Sequence, residues 1–457
     1  MLIFYWLCRA RESLVPRMRF HLALCVIIFI AHIVAAQTTG IDSVRAKHYF
    51  DEARSICESD AGKLWGVLLC GPIMFVDPQS RSIAASHADG ESRLTEQSGI
   101  FVGTLPIEIN PANTAMTWAG VRWTMVQWPL PLSPTARARL MMHELFHRIQ
   151  NDLDLPALSP ANAHLGTLEG RVWLRLEWRA LQQALARPDA PPSDRKRALK
   201  DVLLFRLRRQ ALFPKASAEE QQLELNEGLA EYTGYKLRGT GDDATIEAVI
   251  ARLGSAESEP DFSRSFAYVS GPAYGMLLDL VDTSWRKSLT SKSDLGELLQ
   301  KSYGVALPPD LSSSAEQRAA AYDGVALRWS ETQEEEQRKA LLDGYRKRLI
   351  SGPVLALPVA ERFSFSFDPN NVIPLDDTTS VYTTLRVTDV WGVLEVKDGA
   401  LVVRDQDKFV RVVVEAPKDA AGKGGEVEGN GWKLTLSPGW VLTKGNRLGD
   451  LVAGKKR

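Results

Sequence analysis

Residues 133–147 read SPTARARLMMHELFH, and this stretch decides how the rest of the chain is read. Ser133 is a good N-cap, Pro134 suits the first helical position, and no helix breaker follows until Pro156. The segment is therefore expected to be helical. His143 and His147, four residues apart, then project from one face one turn apart, so both imidazoles can reach a single ion. Glu144, beside the first His, is placed to take a proton from water bound to that ion. The chain holds only seven His in all, so a chance match to this pattern is rare.

Two His leave a catalytic metal site one protein ligand short. An extension of the motif supplying a third His would place Gly at position 150 and His at 153, whereas the chain has Gln150 and Leu153. A carboxylate from another helix is required, and Glu169, Glu177, Glu227 and Glu231 are the helical candidates downstream. Glu169 and Glu177 lie in TLEGRVWLRLEWRAL among Arg171, Arg175 and Arg179, which has the look of an ion-paired helix. Glu227 and Glu231 lie in NEGLAEY, one turn apart on one face. One of them can bind metal while the other accepts a hydrogen bond from a ligand His. The small Gly228 and Ala230 are expected to let this helix lie close against the His-bearing one.

HELFH followed by NEGLAEY resembles the gluzincin metallopeptidases, the clan of thermolysin and the aminopeptidases. The resemblance implies zinc as cofactor, Glu227 as its third ligand and Glu231 as the acid that orients a ligand His. It also points to Tyr268-Val269-Ser270-Gly271, similar to a Tyr-x-x-Gly whose phenol stabilises the oxyanion in aminopeptidase-like members. Tyr268 is thus a candidate catalytic residue, with Tyr274 as competitor and Tyr232 expected in the core. The resemblance spans roughly residues 132–280. It departs from the compact arrangement in one respect, since 79 residues separate His147 from Glu227. A strand beside the active-site helix pairs with extended substrate in these enzymes, and WTMVQWPL (123–130) is placed for that role.

Working outward, residues 37–132 favour strands and turns after an opening helix over Asp42–Cys57, and residues 133–350 read as helices. A capping box, Ser217 with Glu220, is expected to start the helix that carries NEGLAEY. After Pro353 the runs become short and alternating (SVYTTLRV, WGVLEV, FVRVVVEA), which reads as an all-β domain over 351–457. The expected fold is mixed α/β (α+β). A zincin-like catalytic domain, β-rich lobe then helical lobe, would be followed by the small β domain. Trp118, Trp123 and Trp128 are expected in core or cleft wall, and His164 at a helix cap or the surface.

The N-terminus carries Arg9, Arg11, Arg17 and Arg19 ahead of LALCVIIFIAHIVAA (22–36), a basic flank, an apolar run and a small-residue exit. That describes a secretory signal over 1–36, with Met18 a plausible start; if uncleaved it would be a membrane anchor. Export removes Cys8 and Cys25, and the remaining Cys57 and Cys70 are expected to form a disulfide. With 55 Lys+Arg against 56 Asp+Glu there is no bulk charge for nucleic acid. The reading is an exported (periplasmic or secreted) zinc metallopeptidase acting on peptides or proteins, with no nucleic-acid partner and no membrane beyond the signal. Its alternatives are a zinc hydrolase of other amide bonds, as in cell wall, and an inactive exported binding protein on the same scaffold. An intact Glu144 argues against the last.

Overall fold

The computed structural model describes residues 40–456 apart from 187–190, 361–362, 368–371, 377, 406–407 and 418–424. The signal over 1–36 lies outside the described residues. Helix α1 (Ser43–Asp60) starts where the Asp42 side chain accepts from the Arg45 amide, and buries Ala46, Tyr49, Phe50, Ala53 and Cys57. Cys57 is bonded to Cys70 in the loop that leads into the first strand, tying α1 to the entry of that strand.

Strands β1 (Ile73–Val76), β2 (Ser82–Ala85), β3 (Thr95–Gln97), β4 (Ile100–Thr104), β5 (Thr114–Trp118) and β6 (Val121–Gln127) form one sheet in the order β3-β4-β2-β1-β6-β5. The β1–β6 pair is parallel and the others are antiparallel. The alternation of a strand separates two cores. Ile73, Phe75 and Val126 face the helices, while Met74, Val76, Trp123 and Met125 build a second cluster on the opposite face. Burial on both faces explains why β1 is apolar throughout. WTMVQWPL falls mostly in β6, which is an interior strand. On this side of the sheet the strand with an unpaired edge among the described residues is its neighbour β5.

The next helix, α2 (Pro134–Ile149), has the Ser133 cap and the N-terminal Pro that its sequence calls for. The chain continues as a 3-10 turn over Gln150–Leu153, so the helix proper stops well before Pro156. Helices α3 (Leu168–Leu185) and α4 (Pro192–Leu212) follow, then α5 (Ala216–Leu223), a π turn over Glu224–Gly228, and α6 (Leu229–Lys236). Helices α7 (Asp242–Ala256), α8 (Ser265–Asp279), α9 (Leu295–Tyr303), α10 (Leu311–Ala319) and α11 (Gly324–Arg346) complete this part.

Strands β7 (Val354–Pro358), β8 (Ser364–Phe367), β9 (Val372–Pro374), β10 (Thr379–Tyr382), β11 (Leu385–Asp389), β12 (Gly392–Val396), β13 (Ala400–Asp405), β14 (Lys408–Glu415), β15 (Glu426–Gly429), β16 (Trp432–Leu436), β17 (Trp440–Lys444) and β18 (Leu451–Lys455) make the C-terminal region all β. They form two sheets, β17-β18-β7-β14-β13-β10-β9 and β15-β16-β12-β11-β8. Trp391, Leu394, Val402, Val412 and Leu434 share one core between them. Tyr345 and the following Leu349 pack on Val381, Leu401 and Val413, so the end of α11 seats this region. The fold is thus mixed α/β with an all-β C-terminal region. No helix among the described residues is long and apolar enough to cross a membrane.

Three local expectations are corrected. Ser217 caps nothing: the helix starts at Ala216 without a side-chain cap, and Glu220 is buried against Arg209 and His164. A buried guanidinium is a stronger partner for a carboxylate than a backbone amide of a capping box. His164 is therefore neither cap nor surface; its Nε2 meets Glu220 Oε1 at 2.8 Å in the interior. Gly228 does not face the His-bearing helix. A Cβ there would crowd the backbone of Gly271 and Ala267 on α8, and it is Gly234 whose Cβ would strike the Arg139 carbonyl of α2.

Candidate metal centre

The second half of α2 is enclosed by the sheet and by α6, which buries His143 and Glu144 and leaves His147 partly open. The α5–α6 stretch crosses it with the π turn at the level of the two His. A π turn widens the helix by one residue and redirects its side chains, and such turns recur at functional sites. Here it brings in Glu227, whose Oε2 lies 3.4 Å from the Nε2 of His143 and 3.4 Å from the Nε2 of His147. The two Nε2 atoms are 3.2 Å apart. Metal–ligand bonds of about 2.0–2.1 Å in a tetrahedron give edges of about 3.3 Å, so these three donors match three corners around one ion. His143, His147 and Glu227 can accordingly hold a metal ion.

The outer partners fix the rings. Nδ1 of His143 donates to Glu231 Oε2 at 2.8 Å, and Nδ1 of His147 to Gln150 Oε1 at 2.9 Å. Both Nε2 lone pairs are then free to face the ion. The Gln150 amide donates in turn to the Pro156 carbonyl and to Asn226 Oδ1, and Asn226 donates to Glu227 Oε1 at 3.3 Å. Gln150 and Asn226 were missed in the sequence. The only signal was Gln150 lying three residues after a ligand His, and the 3-10 turn that aims it is not visible in a residue pattern. Glu231 also lies 3.4 Å from Arg139, whose Nη1 donates to the Tyr235 hydroxyl.

Close packing of Gly271 on Gly228 places Tyr268, one turn earlier on α8, over the π turn. Its hydroxyl donates to Glu227 Oε2 at 2.5 Å, and its ring stacks on His143 with centroids 5.5 Å apart. Burial and the Glu227 charge push the phenol well above its ordinary range, so it stays a donor. Glu144 Oε2 is buried without a hydrogen-bond partner among the described residues. Burial, only partly offset by the neighbouring imidazoles, raises its carboxyl above the usual carboxylate range. A buried acceptor left unsatisfied is costly and calls for an explanation. Burial would likewise raise Glu227, but hydrogen bonds from His143, His147 and Tyr268 outweigh it and hold that carboxyl well below its usual range. Burial would push His143 down, yet Glu227 and Glu231 outweigh it and push it up to about 10 in the ion-free site.

The remaining candidates are elsewhere. Glu177 is fully buried with Arg209 at 2.6 Å and the Tyr274 hydroxyl at 2.8 Å, and Glu169 pairs with Arg328 and accepts from Trp173. Arg171, Arg175 and Arg179 are ion-paired, as α3 suggested, but with Glu331 and Glu257 on other elements. Tyr232 is core and donates to Asp279. Trp118 and Trp123 are buried, and none of the three Trp lies on the cleft wall. That cleft, about 540 Å³, opens onto His143, Glu144, His147, Glu227 and Tyr268, with Thr114 and Ala115 of β5 along its rim. No protein-family model, curated protein or solved structure matches the chain.

Proposed function

We propose that the chain is a zinc-dependent hydrolase of amide bonds, a metallopeptidase on a zincin-like fold of the gluzincin type. The observation that carries this reading is the triangle of His143, His147 and Glu227 donors with 3.2–3.4 Å edges, next to a buried Glu144 oxygen that has no partner among the described residues. Two neutral imidazoles and one carboxylate are a donor set that suits zinc. Zinc held there supplies a water of lowered pKa and polarises the scissile carbonyl. The Glu144 carboxylate receives the proton of the attacking water and delivers it to the leaving nitrogen as the C–N bond breaks. Tyr268 turns its hydroxyl from Glu227 to the oxyanion that develops on the carbonyl. The free edge of β5 along the rim is suited to hold an extended peptide by main-chain hydrogen bonds. Export through the N-terminal signal belongs to the same proposal, and the Cys57–Cys70 disulfide supports it. Metal analysis of the purified chain, with a peptide-mixture digest by wild type and Glu144→Gln, tests it. Zinc retained with cleavage lost in the variant is expected; equal cleavage by both refutes it.

A further inference from the structure

The charges around the cleft are unevenly distributed. Among the described residues its carboxylates are Glu144, Glu227 and Glu231, all drawn up around the metal centre, and every other charged side chain on the wall is an arginine: Arg122, Arg139 and Arg264. Arg139 is committed to Glu231 and Tyr235. Arg122, on β6, donates to the His147 and Arg148 carbonyls at the end of α2 and has no carboxylate partner among the described residues. Arg264 is the notable one. It is exposed, immediately precedes α8, and its side chain makes no hydrogen bond, ion pair or ring contact among the described residues. The contrast with the same half of the molecule is sharp, since Arg171, Arg179, Arg206, Arg209 and Arg286 all sit against carboxylates.

Position adds to this. Arg264 is one turn before Tyr268, close enough for its charge to act on that phenol. The cleft's apolar wall is limited to Leu140, Ala115 and Ala157, with no deep apolar pocket to anchor a large side chain. Recognition must come from polar and charged contacts, and a guanidinium fork matches a carboxylate in shape as well as sign. We infer that the cleft takes substrates bearing a carboxylate close to the scissile amide, and that Arg264 receives it. This rests on the hydrolase reading for its substrate class, but its test reads binding alone.

Glu144→Gln of the full mature chain, loaded with zinc, is titrated with fluorescein-labelled decapeptides of Ala and Gly that carry two central Glu, Gln or Lys. Each is made with a free and an amidated C-terminus. The Glu peptides are expected to bind about 10-fold tighter than the Gln peptides, with Lys weakest. Adding Arg264→Gln should flatten the order, and Arg264→Glu should invert it, while zinc content stays unchanged in both. If amidation weakens all three peptides alike, a terminal carboxylate is the group held; if the Glu preference persists with either terminus, an acidic side chain is. Equal binding of the Glu and Gln peptides with no loss on amidation overturns the inference, as does a preference untouched by Arg264→Glu or no Glu-peptide binding below about 1 mM. Cleavage by the wild type without charge preference would leave the hydrolase reading standing and remove this one. Arg264-dependent binding without any cleavage would do the reverse.

Discussion

Glu231 accepts a hydrogen bond from Nδ1 of His143 at 2.8 Å, while its other oxygen lies 3.4 Å from Arg139. The carboxylate is thus held from both sides, and it holds the imidazole with Nε2 turned toward Glu227. His147 is oriented by the Gln150 amide instead, a neutral acceptor. One ligand His is therefore made more electron-rich than the other, and the two outer contacts should differ in what they contribute to metal affinity.

The ranking of three variants follows. Glu227→Ala removes a donor and should leave a two-His site with much weaker zinc binding and no measurable turnover. Glu231→Gln should cost about 10–100-fold in affinity or activity, and Gln150→Ala less than that. Glu177→Gln should keep its zinc but destabilise the fold by about 3 kcal/mol or more, because Arg209 loses a charged partner in the interior. Competition with a chelator and urea unfolding give the two rankings; an emptied site in Glu177→Gln would refute the assignment.

Glu144→Gln separates chemistry from binding. The amide matches the carboxylate in size and does not touch the three-donor triangle, so about one zinc per chain should remain. Turnover should fall by about 10²–10⁴-fold or more, since the amide cannot take a proton. Metal stoichiometry by plasma emission, set beside the rate on a cleaved peptide, makes the check.

The ion-free protein should weaken as pH rises above neutrality. His143 binds its proton more tightly folded, at about 10, than at the ordinary value of 6.5 in the unfolded chain. Below 6.5 both states are protonated and the contribution is complete. Between 6.5 and 10 the unfolded chain has lost its proton and the folded one has not, so stability falls, by at most about 1.4 kcal/mol per pH unit. Zinc replaces that proton, so the loaded protein should not share the decline. Melting temperatures with and without chelator from pH 6 to pH 10 compare the two; parallel curves would contradict the site.

The Cys57–Cys70 bond closes a short loop, with a separation of 13 residues, between α1 and the entry to β1. The chain-entropy argument gives about 3 kcal/mol for a loop of this length. The Cys57→Ser/Cys70→Ser double variant should lose about that much in urea unfolding. Non-reducing mass mapping of exported protein should find both Cys in one linked peptide.

Much of the local structure was legible because it depends on neighbours in the chain. The Ser133–Pro134 start of α2, the opening helix expected over Asp42–Cys57 and the alternating runs after Pro353 are patterns that the backbone reads within a few residues. What failed to show were partners distant in sequence. Ser217 and Glu220 have capping-box spacing, yet Glu220 is drawn into the interior by Arg209 and His164. Gly228 signals a close approach but not to which helix, and only packing identifies Gly271 as its neighbour.

The metal centre divides along the same line. The sequence alone determined that His143 and His147 face one way with Glu144 beside them, because helical periodicity leaves no other outcome for residues one turn apart. From residue types it could only offer four glutamates for the third corner. The tertiary structure decided among them: a π turn redirects Glu227 toward the two Nε2 atoms, and α8 packs glycine on glycine to hold that turn in place under Tyr268. Glu177 is withdrawn by the same packing into a pair with Arg209. A carboxylate separated from the second His by 79 residues reaches an ion only where helices close on each other, and that approach is set by contacts no local pattern contains.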